Sequence, residues 1–315
     1  MKLLITGMEG FVGSHLAEYC LEKKCEVHGT AFPGATLQNL ARARRARVHR
    51  LDLTRADAVE HLVRRLKPRW IFHLAGWSSP TLSRRDPEAA LRVNVLGNVN
   101  LLEAARRLQP PPRVLVVGSA DEYGAVDLHL RAITEGHPLN PDSPYAVSKV
   151  CQDLTGLTYF REYGLPVIRV RPFNHIGPRQ ALGFVATDFA SQIVSIEKGR
   201  RVPLMEVGNL DVVRDFSDVR DVVRAYWLLM ERGRPGEVYN IGSGRGIRVR
   251  DLLDGLLRLT SVRVQVHTLP TKARKEKLRK VASIAKLGRH TGWKPRIPLA
   301  ETLRAVMDDW RQRLG

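Results

Sequence analysis

Long apolar runs are what this sequence of 315 residues most plainly lacks. None approaches the ~20 residues that a membrane-spanning helix needs, and no charged-then-apolar leader precedes the first apolar run. The expectation is a cytoplasmic protein with no membrane partner. Cysteine is scarce as well. Cys20, Cys25 and Cys151 have neither C-x-x-C spacing nor a secretory context, so they read as unpaired thiols, and no metal site is expected. Aromatic residues make up only 6% and do not interleave with the densest basic runs, residues 42–50 and 272–280, which leaves no stacking platform for single-stranded nucleic acid. Acids are outnumbered, 32 against 51 lysines and arginines, for a formal charge of +19. Spread along the chain, that excess suits anionic substrates and argues against a nucleic-acid partner.

What is present begins at the first strand. Lys2-Leu3-Leu4-Ile5-Thr6 is a short apolar run of the kind that forms a buried parallel strand, and residues from Ser14 onward continue with helical spacing. Between them Gly7, Gly10 and Gly13 stand at G-x-x-G-x-x-G spacing. Gly7 permits the tight turn, Gly10 lets the backbone approach a pyrophosphate, and Gly13 lets the helix pack on the strand. The free N–H groups of Phe11, Val12 and Gly13 would then face the phosphates. A lone glycine motif is a weak signal, but its position directly after an apolar strand favours a dinucleotide site.

Further strands follow at residues 26–31, 47–53, 70–76, 113–118 and 165–170, separated by helical stretches that include residues 91–108. That rhythm predicts an α/β fold: a doubly wound parallel sheet with ligands at the carboxyl ends of its strands. The regular alternation weakens afterwards, so a smaller mixed domain is expected. Residues 1–174 plus 211–242 form the dinucleotide-binding part of this reading, and 175–210 plus 243–315 the substrate part.

At the second strand's end, Thr30 stands where NAD-preferring sites carry an acid for the ribose 2′-hydroxyl. With Arg42, Arg44, Arg45 and Arg47 following, NADP is the expected cofactor, NADPH preferred, and NAD stays possible. Asp52 and Leu53 are expected at the adenine, Thr54 as the next helix's N-cap, and Leu74, Ala75 and Gly76 as a small-residue wall against the cofactor. After the fifth strand comes Ser119, and 26 residues later Tyr145 opens a helix with Lys149 one turn on. At i and i+4 the ammonium shares a face with the phenol, lowering its pKa, while Ser119 hydrogen-bonds the same carbonyl oxygen that Tyr145 protonates. Y-x-x-x-K alone is more often a surface helix; joined to the glycine turn and Ser119, it reads as catalytic.

Together these residues resemble the extended short-chain dehydrogenase/reductase family over essentially the whole chain. The segments 171–178, 208–211, 213–216 and 291–295 are similar to its GDP-sugar branch, which holds 4-keto-6-deoxy-mannose reductases and GDP-mannose 4,6-dehydratases. The resemblance implies a GDP-linked nucleotide-sugar substrate, contacts from Asn174 and Arg214 to its diphosphate region, further contacts from Arg179 and Arg274, and a homodimer. Two departures stand out. Ser119-Ala120-Asp121 replaces the dehydratases' Thr, acid or Ser, then Glu, so the carboxylate base is shortened and the acid lost; Glu122 is the remaining carboxylate within reach. Arg274 and Glu276 stand near where the family has an Arg-Pro and an acid. A ketone reduction needs only Ser119, Tyr145, Lys149 and a hydride. The alternatives are a dehydratase or epimerase recycling bound NAD, and a non-catalytic nucleotide-binding regulator.

Overall fold

The computed structural model describes residues 1–78, 80–126, 130–269 and 279–315. The first half alternates as β1 (Lys2–Thr6), α1 (Phe11–Glu22), β2 (Glu26–Ala31), β3 (Arg47–Arg50), α2 (Ala56–Leu66), β4 (Trp70–His73), α3 (Pro80–Arg85), α4 (Pro87–Leu91), α5 (Gly97–Arg106), β5 (Arg113–Val117), α6 (Pro144–Tyr163) and β6 (Val167–Pro172). The second half runs β7 (Asn174–Ile176), α7 (Val185–Glu197), β8 (Leu204–Val207), β9 (Val213–Asp218), α8 (Val219–Arg232), β10 (Val238–Ile241), β11 (Gly246–Arg248), α9 (Val249–Leu257), β12 (Gln265–Thr268), β13 (Arg279–Lys280), α10 (Ala285–Thr291) and α11 (Leu299–Arg313).

Seven strands make one parallel sheet in the order β10-β6-β5-β4-β1-β2-β3. Chain direction across the sheet reverses between β1 and β4, which opens a crevice at their carboxyl ends. One face carries α1 and α8, whose Leu16, Tyr226 and Met230 are buried with Leu3, Ile5 and Phe72. The other carries α2, α5 and α6 over Leu4, Ile71 and Val114. A separate core joins α7, α9 and α11 around Ile193, Leu252 and Val306. Among the described residues, no helix is long and apolar enough to cross a membrane.

Several elements differ from the sequence reading, each for a local reason. The third strand stops at Arg50 because Asp52 Oδ1 accepts from both the backbone N and Oγ1 of Thr54, at 2.9 Å each, and turns the chain. Thr54 is therefore not the helix cap; α2 starts after Arg55. The helix expected over 91–108 starts at Pro87 and runs on through a π-turn at Arg92–Leu96 to Arg106. Phe216 of β9 packs in the second core, while Leu287 of α10 and the nearby Trp293 join the first.

Candidate active site

A single cavity of about 1690 Å³ runs along the carboxyl ends of the sheet and on under the second core. Gly7 takes a φ of +65°, and a Cβ there would lie 2.8 Å from Ala75 Cα. At Gly13 a Cβ would fall 2.2 Å from the Gly7 carbonyl oxygen, so close packing of α1 on β1 requires glycine. Helix α1 has no side-chain cap at Gly10 and no acid in its first turn, leaving its first N–H groups for a ligand. Thr6 Oγ1 accepts from Ala75 N at 3.1 Å, and Thr30 Oγ1 from Gly7 N at 3.3 Å. Thr30 thus braces the glycine turn. Phe11, Val12, Asp52, Leu53, Leu74 and Gly76 complete this half of the wall. An uncapped helix end beside glycines that leave the backbone open fits the pyrophosphate of a dinucleotide.

Midway along, Ser119, Tyr145 and Lys149 meet. Ser119 opens the loop after β5, and its side chain accepts from Asp121 N at 3.1 Å and hydrogen-bonds the Tyr145 phenol. Pro144 and the Ser143 cap start α6 immediately before Tyr145, fixing where the phenol enters. Burial pushes that phenol above its ordinary range, Asp121's charge adds to the effect, and the Ser119 hydrogen bond opposes it. The expected lowering by Lys149 is not seen. Its ammonium donates instead to the Val117 carbonyl at 2.9 Å and Gln152 Oε1 at 2.8 Å. Burial brings Lys149 down to about 8, against a raising pull from Glu122. Behind them, Asn94 in the π-turn accepts from Trp77 N at 2.6 Å and donates to Ser148 Oγ at 2.8 Å, tying the β4 loop to α6.

Glu122, the remaining carboxylate, is committed elsewhere. It is fully buried, accepts from Ser119 N at 2.7 Å, and pairs with Arg171 Nε at 2.8 Å. Burial and the charge of Asp153 push it up to about 8 against the pull of Arg171. Asp121 lies at the cavity wall, held by Lys280 Nζ at 3.3 Å. Arg214, the register partner of Lys280 on β9, also lines the wall, its guanidinium lowered by burial and raised by Asp121. Asn174 reaches the same wall from β7. Arg179 lines it too, but its guanidinium is engaged by Glu18 at 2.6 Å and by His15 Nδ1 at 2.7 Å. His15, lowered to about 4 by burial and then by Arg179, accepts that bond as a neutral ring.

Residues 4–306 match the GDP-mannose 4,6 dehydratase family. The chain belongs to that family. A GDP-6-deoxy-D-mannose reductase from Pseudomonas aeruginosa is 36% identical over 314 residues, 99% of this chain and 98% of that protein. The solved structure of Pseudomonas aeruginosa RMD complexed with NADPH superposes with a TM-score of 0.85 at 35% identity, over 99% of this chain and 100% of the other. A UDP-glucose 4-epimerase from Thermotoga maritima, solved with UDP-glucose, gives a TM-score of 0.90 at 28% identity over the full length of both.

In this member of the GDP-mannose 4,6 dehydratase family, every expected site residue among the described ones borders the one cavity. Arg274 lies outside the described residues, as does Glu276. The arginines expected at a 2′-phosphate are not on that wall. Arg47 begins β3, at the far end of the strand from the cavity, and pairs with Glu26 at 3.3 Å. Arg50, which the sequence reading passed over, donates to the Phe32 and Ala35 carbonyls at 3.4 and 3.0 Å. Glu9, Asn94 and Lys280 were missed as well. Only Glu9 carried a local signal, an acid inside a phosphate-binding glycine turn; the other two depend on partners distant in sequence.

Proposed function

We propose that this protein reduces the 4-keto group of a 4-keto-6-deoxy nucleotide sugar, GDP-linked, in the manner that converts GDP-4-keto-6-deoxy-mannose to GDP-rhamnose. It is an NAD(P)-dependent oxidoreductase. The observation that carries this reading is the near full-length identity to a GDP-6-deoxy-D-mannose reductase, joined to Ser119, Tyr145 and Lys149 in one cavity. NADPH is the expected reductant, by likeness to the NADPH complex, with NADH possible. Residues 1–174 and 211–242 carry cofactor binding in this reading, and most of the remainder faces the nucleotide sugar.

The glycine turn and the wall of Leu74, Ala75 and Gly76 would hold a reduced nicotinamide dinucleotide, which would supply the hydride for the sugar's carbonyl carbon. Ser119 orients the carbonyl oxygen, and Tyr145, kept protonated by burial, donates its proton to that oxygen as the alcohol forms. Lys149 carries the positive charge that offsets the phenolate left behind. Arg214 and Asn174 take the diphosphate, an anion suited to the excess of basic residues. The family's dehydratase chemistry is the second reading, since the match is to a family of that name. Ala120, the short Asp121 held by Lys280, and the buried Glu122 all weigh against it. Exposed Leu91, Leu96, Val147 and Leu154 on neighbouring helices support pairing of two copies; a monomer mass by light scattering would count against that.

The test is a panel of 4-keto-6-deoxy sugars linked to GDP, dTDP, UDP and CDP, each mixed with enzyme and reduced cofactor. Oxidation of the cofactor with the GDP-linked member, faster than with the others, is expected. No oxidation with any member would refute the reading.

A further inference from the structure

The strand β2 ends in Thr30-Ala31, with Phe32 next and no carboxylate among them, and Thr30 is turned to the glycine turn. Glu9 comes to that place from the opposite side. It sits between Gly7 and Gly10, and its Oε1 accepts from the backbone N of Phe32, the residue directly after β2, at 2.9 Å. Its backbone carbonyl is fixed by Asn39 Nδ2 at 3.1 Å, and both residues border the cavity. Its second carboxylate oxygen, Oε2, is closed from solvent and has no hydrogen-bond partner. A buried acceptor in that condition calls for a donor. In a doubly wound fold, the place after β2 is where an acid meets the adenosine ribose, whose 2′-hydroxyl is such a donor.

The cationic side of the same corner is committed. Arg50 is bound to the Phe32 and Ala35 carbonyls, and Arg47 to Glu26. No arginine of residues 42–50 borders the cavity. A 2′-phosphate here would lie beside a fixed carboxylate, which costs binding through like-charge repulsion.

The geometry points to Glu9 as the residue that sets this enzyme's margin between NADH and NADPH, holding the 2′-hydroxyl of the first and opposing the 2′-phosphate of the second. The inference rests on the reading that this half of the cavity binds a dinucleotide, and it does not depend on the sugar. Glu9 makes NADH an accepted cofactor, whichever of the two binds more tightly in the unaltered protein.

The test measures dissociation constants of NADH and NADPH calorimetrically for the full-length protein and for Glu9→Gln, Glu9→Ala and Glu9→Asp, without substrate. Glu9→Gln keeps the size of the side chain and a carbonyl oxygen for Phe32 N. It should tighten NADPH and weaken NADH, moving their ratio by about tenfold or more. Glu9→Ala should move the ratio the same way, which keeps the test open if one variant folds poorly. Glu9→Asp keeps the charge and should stay near the unaltered ratio. A ratio unmoved in both Glu9→Gln and Glu9→Ala, or moved equally by Glu9→Asp, would overturn the assignment. Failure of the unaltered protein to bind either dinucleotide would instead remove the dinucleotide reading beneath it.

Discussion

Tyr145 reaches the cavity as a buried, protonated phenol touched by Ser119. Tyr145→Phe removes only the proton, so turnover should fall by roughly 100- to 10,000-fold with cofactor affinity nearly unchanged. Stopped-flow oxidation of the cofactor and a separate binding titration measure the two quantities. Retention of a tenth of the rate would contradict the role. Lys149 adds a pH dependence. Burial lowers its ammonium from 10.5 to about 8, so the free enzyme loses that charge as pH rises through about 8. The kcat/KM for reduction should therefore fall above that pH, and the Lys149→Met variant, already slow, should lose that limb. The sign for stability is the reverse. A base whose folded pKa is depressed weighs on the fold below about 8 and is relieved as pH rises from there toward 10.5. At this scale the sequence was informative for groups whose spacing is local, such as Tyr145 and Lys149. It aimed the Lys149 ammonium at the phenol, whereas Val117 and Gln152 accept it once β5 and α6 have packed.

The elements around the site divide in the same way. Strands β1 to β6 were legible because buried parallel strands are short apolar runs, and the glycine turn marks the first crossover by itself. The second half was not, since its strands are short and held by side chains. Asp215, on β9, accepts from Ser243 N, Ser243 Oγ, Gly244 N and Ala282 N at 2.6 to 3.1 Å, joining three segments far apart in sequence. Asp221 on α8 does likewise for Arg296 N and Ile297 N. Neither aspartate shows a periodicity that reveals this. Asp215→Ala would leave Ala282 N buried without an acceptor and release the less buried Ser243 and Gly244 amides, at a cost of about 1–3 kcal/mol. Urea unfolding monitored by tryptophan fluorescence should show a loss of that size; a loss under about 1 kcal/mol, the net worth of a single ordinary hydrogen bond, would contradict the clamp.

Over the whole molecule, one cavity runs from the glycine turn past Ser119, Tyr145 and Lys149 to a wall carrying Arg214 and Asn174. Its carboxylates decide which chemistry follows. Removing a proton beside a ketone needs a base that reaches to about 2.6–3.2 Å. Asp121 is one methylene shorter than glutamate and is tied to Lys280, Ala120 offers no acid, and Glu122 is spent on Arg171 and Ser119. Reduction needs none of them. The most direct measurement is therefore a paired assay on one enzyme preparation, with GDP-mannose and no added reductant in one arm, and GDP-4-keto-6-deoxy-mannose with NADPH in the other. One cofactor oxidised per keto sugar, with GDP-mannose left intact, is the predicted result; 4-keto sugar formed from GDP-mannose, with no NADPH consumed in the second arm, would contradict it.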